Sequence, residues 1–163
     1  MIEAEFISKF DDADAVDMSD TTTNITEENI KELHILADRY PQAQSAIIPM
    51  LHLVQSIDGK VSGEGVRHIA RILDLPEAVV LGVVTFYTMF HKEAVGKHLI
   101  GVCTTSLCAV MGGDMVYETV RKHLGLDGEG TTEDGAFTLE RVECNAACDF
   151  APVMMLNWEF MDN

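Results

Sequence analysis

Cysteine is the residue type whose placement most narrows the chemistry open to this chain. All four thiols fall in two short stretches, Cys103 and Cys108 in GVCTTSLCAV and Cys144 and Cys148 in ECNAACDFAP, so the pattern is C-x4-C, 35 residues, then C-x3-C. Three kinds of site compete for it. Structural zinc on four thiolates usually rests on C-x2-C knuckles, because a short knuckle folds two sulfurs onto one tetrahedral ion. C-x3-C approaches that geometry and C-x4-C strains it. A thioredoxin-type redox pair needs C-x-x-C at a helix N-terminus, and neither half supplies one. A [2Fe–2S] cluster takes two thiolates per iron, suits wider loops and uses a C-x4-C element in plant-type ferredoxins. The spacing favours iron–sulfur and leaves zinc open.

The residues between the cysteines agree with a cluster. Thr104, Thr105 and Ser106 in the first loop, and Asn145, Ala146 and Ala147 in the second, are small or polar. Backbone N–H groups and hydroxyls can therefore point at sulfur without steric competition, and such donors tune a cluster's potential. Other chemistry is hard to find. The chain has no G-x-G-x-x-G and no G-x-x-x-x-G-K-[ST], and the glycine pairs Gly63–Gly65 and Gly128–Gly130 read as turns, so NADH and flavin are expected to bind elsewhere. The six histidines (His34, His52, His68, His91, His98 and His123) are scattered, none within three residues of a cysteine, and read as core or surface groups. The nine methionines read as adaptable packing. Phe86, Tyr87 and Phe90 read as domain-to-domain packing in preference to a partner surface.

Two kinds of segment must position the cysteines. From Asn24 to Tyr40 the apolar residues Ile30, Leu33, Ala37 and Tyr40 recur at helical spacing, with Thr26 as N-cap and Pro41 as the stop. Further helices are expected at about 44–55, after Ser62, and with Pro76 in a first turn, giving a small all-helical domain over 24–95. After Gly96 the rhythm changes. KHLIGVC has strand length, Met111 to Leu124 is helical, GLDGEGTTEDG is a turn-rich connector, FTLERVEC alternates, and PVMMLN and WEFMDN read as two short strands. The second domain, 96–163, is thus α/β with its cysteines at strand ends, where open sheets build their sites.

Charge narrows the partners. The formal net charge is -16, with nine acids and one base over residues 1–28, seven of each over 29–98, and eleven acids and three bases over 99–163. Nucleic acid and anionic membrane surfaces both need a basic face, which an acidic chain disfavours. Residues 1–23 read as a solvated acidic arm. The longest apolar run, Val79 to Phe90, is short of the roughly 20 residues a bilayer requires. The N-terminus lacks a secretory pattern, so the reducing cytosol is the expected compartment.

The stretches VTFYTMFHKEAVGKHLIGVCTTSLC, MGG shortly after, and CNAACDFAPVMMLN together closely resemble the family of thioredoxin-like [2Fe–2S] subunits of bacterial respiratory complex I, small proteins of its NADH-oxidising module. The likeness runs over roughly residues 24–160. It implies a thioredoxin-like [2Fe–2S] domain behind a helical one, with Cys103 and Cys108 on one iron and Cys144 and Cys148 on the other. It implies a flavoprotein partner that binds NADH and FMN, other peripheral-arm subunits, and a cytoplasmic position on the inner face of the membrane through the complex. The chain would then be a subunit of an NADH:quinone oxidoreductase, its cluster beside the flavin and off the main line of clusters, with no NADH or FMN site of its own. A centre of charge about -2, going to -3 on reduction, in an acidic domain is expected at a low potential, on the order of -400 mV or lower.

Two departures stand out. Many relatives have glycine where Asn145 and Ala146 stand, and the family continues into a closing helix beyond the position of Asn163, so the sequence is expected to be part of a longer protein. The homologous subunit of an NAD-linked hydrogenase or formate dehydrogenase, and a zinc-stabilised adaptor without redox function, are the alternatives.

Overall fold

The computed structural model describes residues 15–161. The chain divides into two compact units, with the boundary between Ala94 and Val95.

The first unit is helical: α1 Glu27–Ala37, α2 Ile47–Asp58, α3 Gly63–Leu73 and α4 Glu77–Phe86, with a 3-10 turn Ala43–Ala46 leading into α2. Thr26 caps α1 reciprocally. Its hydroxyl accepts from the Asn29 N–H while the Asn29 side chain accepts from the Thr26 N–H, which satisfies two of the backbone donors that a helix start leaves open. Ser62 caps α3 by accepting from the Gly65 N–H, and α3 ends on Asp74 in the left-handed region. Gly63–Gly65, read from sequence as a turn, is therefore the first turn of this helix. Pro76 is the N-cap of α4 and stands just outside the helix. Leu33, Met50, Leu51, Val54, Val66, Ile69, Val80, Val84 and Phe90 close one core. Burial of each such side chain stabilises the fold by roughly 1.5–3 kcal/mol.

Residues 1–14 of the expected acidic arm lie outside the described residues. The remainder, 15–23, is not a solvated arm but lies on the helical unit. Val16 is buried, Arg67 donates from its guanidinium to the Met18 carbonyl, and Lys60 pairs with Asp20 at 3.0 Å. Asp58 then accepts from the Thr23 hydroxyl at 2.9 Å, the Asn24 N–H at 2.7 Å and the Ser62 hydroxyl at 2.6 Å. Charge counting missed this strap because its cations are brought in by α3 and the turn before it.

The second unit holds β1 His98–Cys103, α5 Ser106–Val110, α6 Gly113–Leu124, β2 Gly130–Thr131, β3 Phe137–Val142, a 3-10 turn Cys148–Phe150, β4 Met154–Leu156 and β5 Glu159–Met161. The sheet order is β2-β3-β1-β4-β5. β1 and β3 are parallel and every other neighbouring pair is antiparallel. α6 supplies Tyr117, Val116, Val120 and Leu124 to a core with Ile100, Val102 and Leu139.

Two differences from the sequence reading have local causes. The helix expected over 111–124 starts only at Gly113, because Gly112 before it has a φ of 104° that no helix contains, and the separate short helix α5 precedes it. The turn-rich connector hides the two-residue strand β2, too short to show alternation. Asn157 and Trp158 join β4 to β5 with φ of 50° and 69°, the pair of left-handed residues that a tight hairpin requires.

Candidate metal centre

Parallel pairing of β1 with β3 sets the position of all four cysteines. Cys103 is the last residue of β1 and lies opposite Val142, the last of β3, so both cysteine loops leave the sheet at the same end. The first loop turns at once into α5, which carries Cys108. The second passes Cys144 and reaches Cys148 at the start of the 3-10 turn.

Three contacts hold the loops together. The Thr105 hydroxyl donates to the Glu143 carbonyl, the Cys103 N–H donates to the Val153 carbonyl at 3.1 Å, and α6 begins directly on the first loop. A Cβ at Gly113 would stand 2.5 Å from the Cys103 carbonyl oxygen and 2.9 Å from that of Cys108, so only glycine allows the approach. Cys103 and Cys108 are buried, each 3% exposed, in a small cluster with Val153, Val142, Ala147 and Ala151. Cys144 and Cys148 are exposed, and none of the four is in a disulfide. An apolar pocket lined by Ala147, Phe150, Val153 and Phe160 opens beside the second loop.

The sulfurs act on one another. Burial by itself raises the Cys103 thiol, but the N–H groups of Thr105 and Asn145 and hydrogen bonds with the Cys108 and Cys144 thiols more than offset it and leave the group below its ordinary value. Burial raises the Cys108 thiol and holds it above its ordinary value, aided by Cys103 and the charge at Cys148, while the Val153 N–H opposes. Cys144 receives the Ala146 N–H at 3.2 Å. Every one of the four therefore belongs to one interacting set, with Cys103 and Cys108 in its middle.

Among the described residues, no three of His, Cys, Asp and Glu converge tightly enough to hold a single metal ion. A tetrahedral zinc would need all four sulfurs about 2.3 Å from one point. The arrangement suits two metal ions better than one. The donor set also contains an open donor: Asn145 Nδ2, one residue after Cys144, is buried without a hydrogen-bond partner. A donor so placed costs roughly 1–3 kcal/mol unless an acceptor reaches it, and the thiolate or sulfide of a bound cluster is such an acceptor. The residues present thus fit an anionic iron–sulfur group.

The expected donors are placed differently in part. Asn145 and Ala146 do present N–H groups to sulfur, but Thr105 does so through its backbone and spends its hydroxyl on Glu143. Sequence reasoning missed Val153 and Gly113, which reach the site from a strand connection and a helix start. The MGG run was the one visible signal. Of the aromatic trio, Phe90 is 2% exposed in the helical core, whereas Phe86 is 76% exposed and meets Tyr87 edge-on at 4.9 Å.

A mixed sheet whose parallel pair ends in two cysteine loops defines an α/β domain of thioredoxin-like class built around four thiols. The sequence profile of the thioredoxin-like [2Fe–2S] ferredoxin family matches residues 33–163, and the chain belongs to that family. It is 51% identical over 125 residues to the E subunit of NADH-quinone oxidoreductase from Mycobacterium tuberculosis (strain H37Rv), covering 77% of this chain and 50% of that one. The chain thus spans half the length of this mycobacterial relative. It is 36% identical over 151 residues to the E subunit of the same oxidoreductase from Rickettsia conorii, covering 90% of each. It is also 35% identical over 146 residues to the mitochondrial NADH dehydrogenase [ubiquinone] flavoprotein 2 of Dictyostelium discoideum, covering 88% of this chain and 59% of that one. A chain in the crystal structure of an NAD+-reducing [NiFe]-hydrogenase in the air-oxidized state matches with a TM-score of 0.61 and 16% identity, over 71% of this chain and 20% of that chain, a likeness of fold alone. The expected fold class and the [2Fe–2S] cofactor agree with this membership.

Proposed function

We propose that the chain is the electron-transfer subunit of the NADH-oxidising module of an NADH:quinone oxidoreductase, holding one [2Fe–2S] cluster through Cys103 and Cys108 on one iron and Cys144 and Cys148 on the other. The observation that carries the reading is the meeting of all four thiols at one sheet end, where backbone N–H groups are already aimed at sulfur. The bound cluster supplies one-electron transfer and no bond chemistry. The chain's own residues exclude water around Cys103 and Cys108, orient the sulfurs by N–H donation, and leave Cys144 and Cys148 at the surface, where an electron can enter.

The partner in this reading is a flavoprotein that binds NADH and FMN. Leu107, Val110, Met111, Met115 and Phe150 are all exposed around the cysteine loops, Val110 by 83% and Met115 by 73%, an apolar collar of the kind that marks a protein interface. No helix among the described residues is long and apolar enough to cross a membrane. Attachment to the inner face of the membrane would therefore run through other peripheral-arm subunits. Affinity purification of the native assembly tests this. Recovery of an FMN-containing, NADH-binding subunit with this chain supports the reading, whereas a nickel–iron or molybdenum subunit would assign the chain to an NAD-linked hydrogenase or formate dehydrogenase.

A further inference from the structure

Glu140 is a carboxylate that the electron-transfer reading leaves without a task. It is half-buried in the middle of β3, and among the described residues it has no ion pair and no hydrogen bond. Its position relative to the cysteines follows from the pleat. Cys103 and Val142 pack in one cluster and are register partners, so they share a sheet face. Gly101 and Glu140 are the register partners two residues earlier, and side chains two residues apart point the same way.

Glu140 therefore stands on the face that carries Cys103. Its carboxyl also leans across to β1, because a Cβ on Gly101 would lie 3.9 Å from Glu140 Oε1. Gly101 is about 7 Å along the strand from Cys103. A side chain at Gly101 would fill this space, and the same Cβ would stand 2.9 Å from Val142 Cγ1.

Among the described residues, the groups around Glu140 offer it no cation. Glu129, just before β2, and Glu143, just after β3, are the charges that act on it. β1 presents Leu99, Gly101 and Cys103 to this face, and β2 presents Thr131, whose hydroxyl meets that of Thr138 at 2.7 Å. Arg141 points to the opposite face, where it lies 3.8 Å over the Tyr117 ring and pairs with Asp114. Burial, with Glu129 and Glu143 adding to it, pushes the Glu140 carboxyl up to about 7.

We propose that Glu140 is the proton acceptor linked to reduction of the cluster: as an electron enters, the Glu140 carboxylate binds a proton from water more tightly, so that reduction draws up to about half a proton per electron. The electron comes from the reduced flavin of the partner subunit, or from dithionite in a test, and each proton bound offsets the charge of one electron. This inference rests on the four-cysteine reading above. One added negative charge roughly 10 Å away, at an effective dielectric near 20, tightens proton binding about tenfold. The midpoint potential is then level at low pH, where Glu140 is protonated in both redox states, and falls where only the reduced state holds the proton. It levels again where neither does. A tenfold linkage corresponds to a total fall of about 59 mV for a one-electron couple.

The test is a redox titration of the full cluster-loaded chain, followed by electron paramagnetic resonance from about pH 5.5 to about pH 9, for wild type and Glu140→Gln. The amide has the same shape and cannot ionise, so the variant should match wild type at low pH and stay at that potential throughout, about tenfold easier to reduce at high pH. As a second readout on wild type alone, infrared difference spectra should show a protonated carboxyl band appearing on reduction near neutral pH. A fall with pH that persists in Glu140→Gln, a wild-type potential level across the range, or no carboxyl band overturns the proposal and leaves the cluster reading standing. Absence of the cluster's resonance from the wild-type chain would overturn both.

Discussion

Ala146 stands with φ of 53° in the second cysteine loop, a left-handed position that an L side chain occupies at a cost of roughly 1–2 kcal/mol. A glycine would stand there without that cost, and Ala146→Gly should raise stability by about 1 kcal/mol, read as an increased denaturant midpoint with the cluster signal retained. Asn145 adds a donor that glycine could not. Removing its buried, unpaired amide with Asn145→Ala should lower the cluster's midpoint potential by on the order of 50 mV, since a donor to sulfur favours the more negative reduced state. Glu140 gives a pH signature in folding as well. Its folded carboxyl binds a proton more tightly than the ordinary value of 4.5, up to about 7, so wild type loses stability as pH rises between those values, and Glu140→Gln should not. Urea melts of the two proteins at pH 4 and pH 8 check the sign. The four cysteines were legible from spacing because nothing else accounts for their pooling. Val153, Gly113 and Glu140 were not, since they become neighbours of the thiols only through β-sheet register and the start of α6.

At the scale of elements, the site depends on how closely α6 approaches the loop between β1 and α5. Gly113→Ala would force a Cβ against two carbonyl oxygens that the backbone cannot easily move. The expected cost is roughly 2 kcal/mol, with poorer cluster retention than in a surface control such as Gly128→Ala, where the added Cβ meets nothing within 4 Å. Iron content per chain after purification reads the difference. Element types were largely legible. Caps at Thr26 and Ser62, the helical recurrence in 24–73 and the apolar run before Cys103 each carry a local signal that the structure keeps. The short pieces escaped, because α5 and β2 span too few residues for a period to show and are held by their neighbours. The five-stranded order, with β1 in the centre between β3 and β4, has no local signal at all. It comes from the parallel pairing of β1 with β3 and the antiparallel pairing of β1 with β4 between distant segments, each extended by a local antiparallel pair.

Across the whole molecule, charge and apolar surface are divided between tasks. The strap over residues 15–23 uses acidic residues structurally: backbone and side-chain hydrogen bonds from Thr22, with Lys60, hold Asp20 down to about 2. Its contribution is present above the ordinary value of 3.8 and is lost as pH falls from there through about 2, so the strap should loosen only in strong acid. The apolar collar is the counterpart at the cysteine end. Val110→Asp with Met115→Asp should weaken association with the proposed flavoprotein partner at least tenfold while leaving the chain's own cluster signal intact, measured by co-purification and resonance on the same sample. Central to all of this is the claim that Cys103, Cys108, Cys144 and Cys148 hold one dinuclear cluster. The most direct test is electron paramagnetic resonance of the anaerobically purified, dithionite-reduced chain, with iron and acid-labile sulfide counted on the same protein. A brown protein with two irons, two sulfides and one rhombic S = 1/2 signal is expected. A colourless, silent protein carrying one zinc and no sulfide would contradict it.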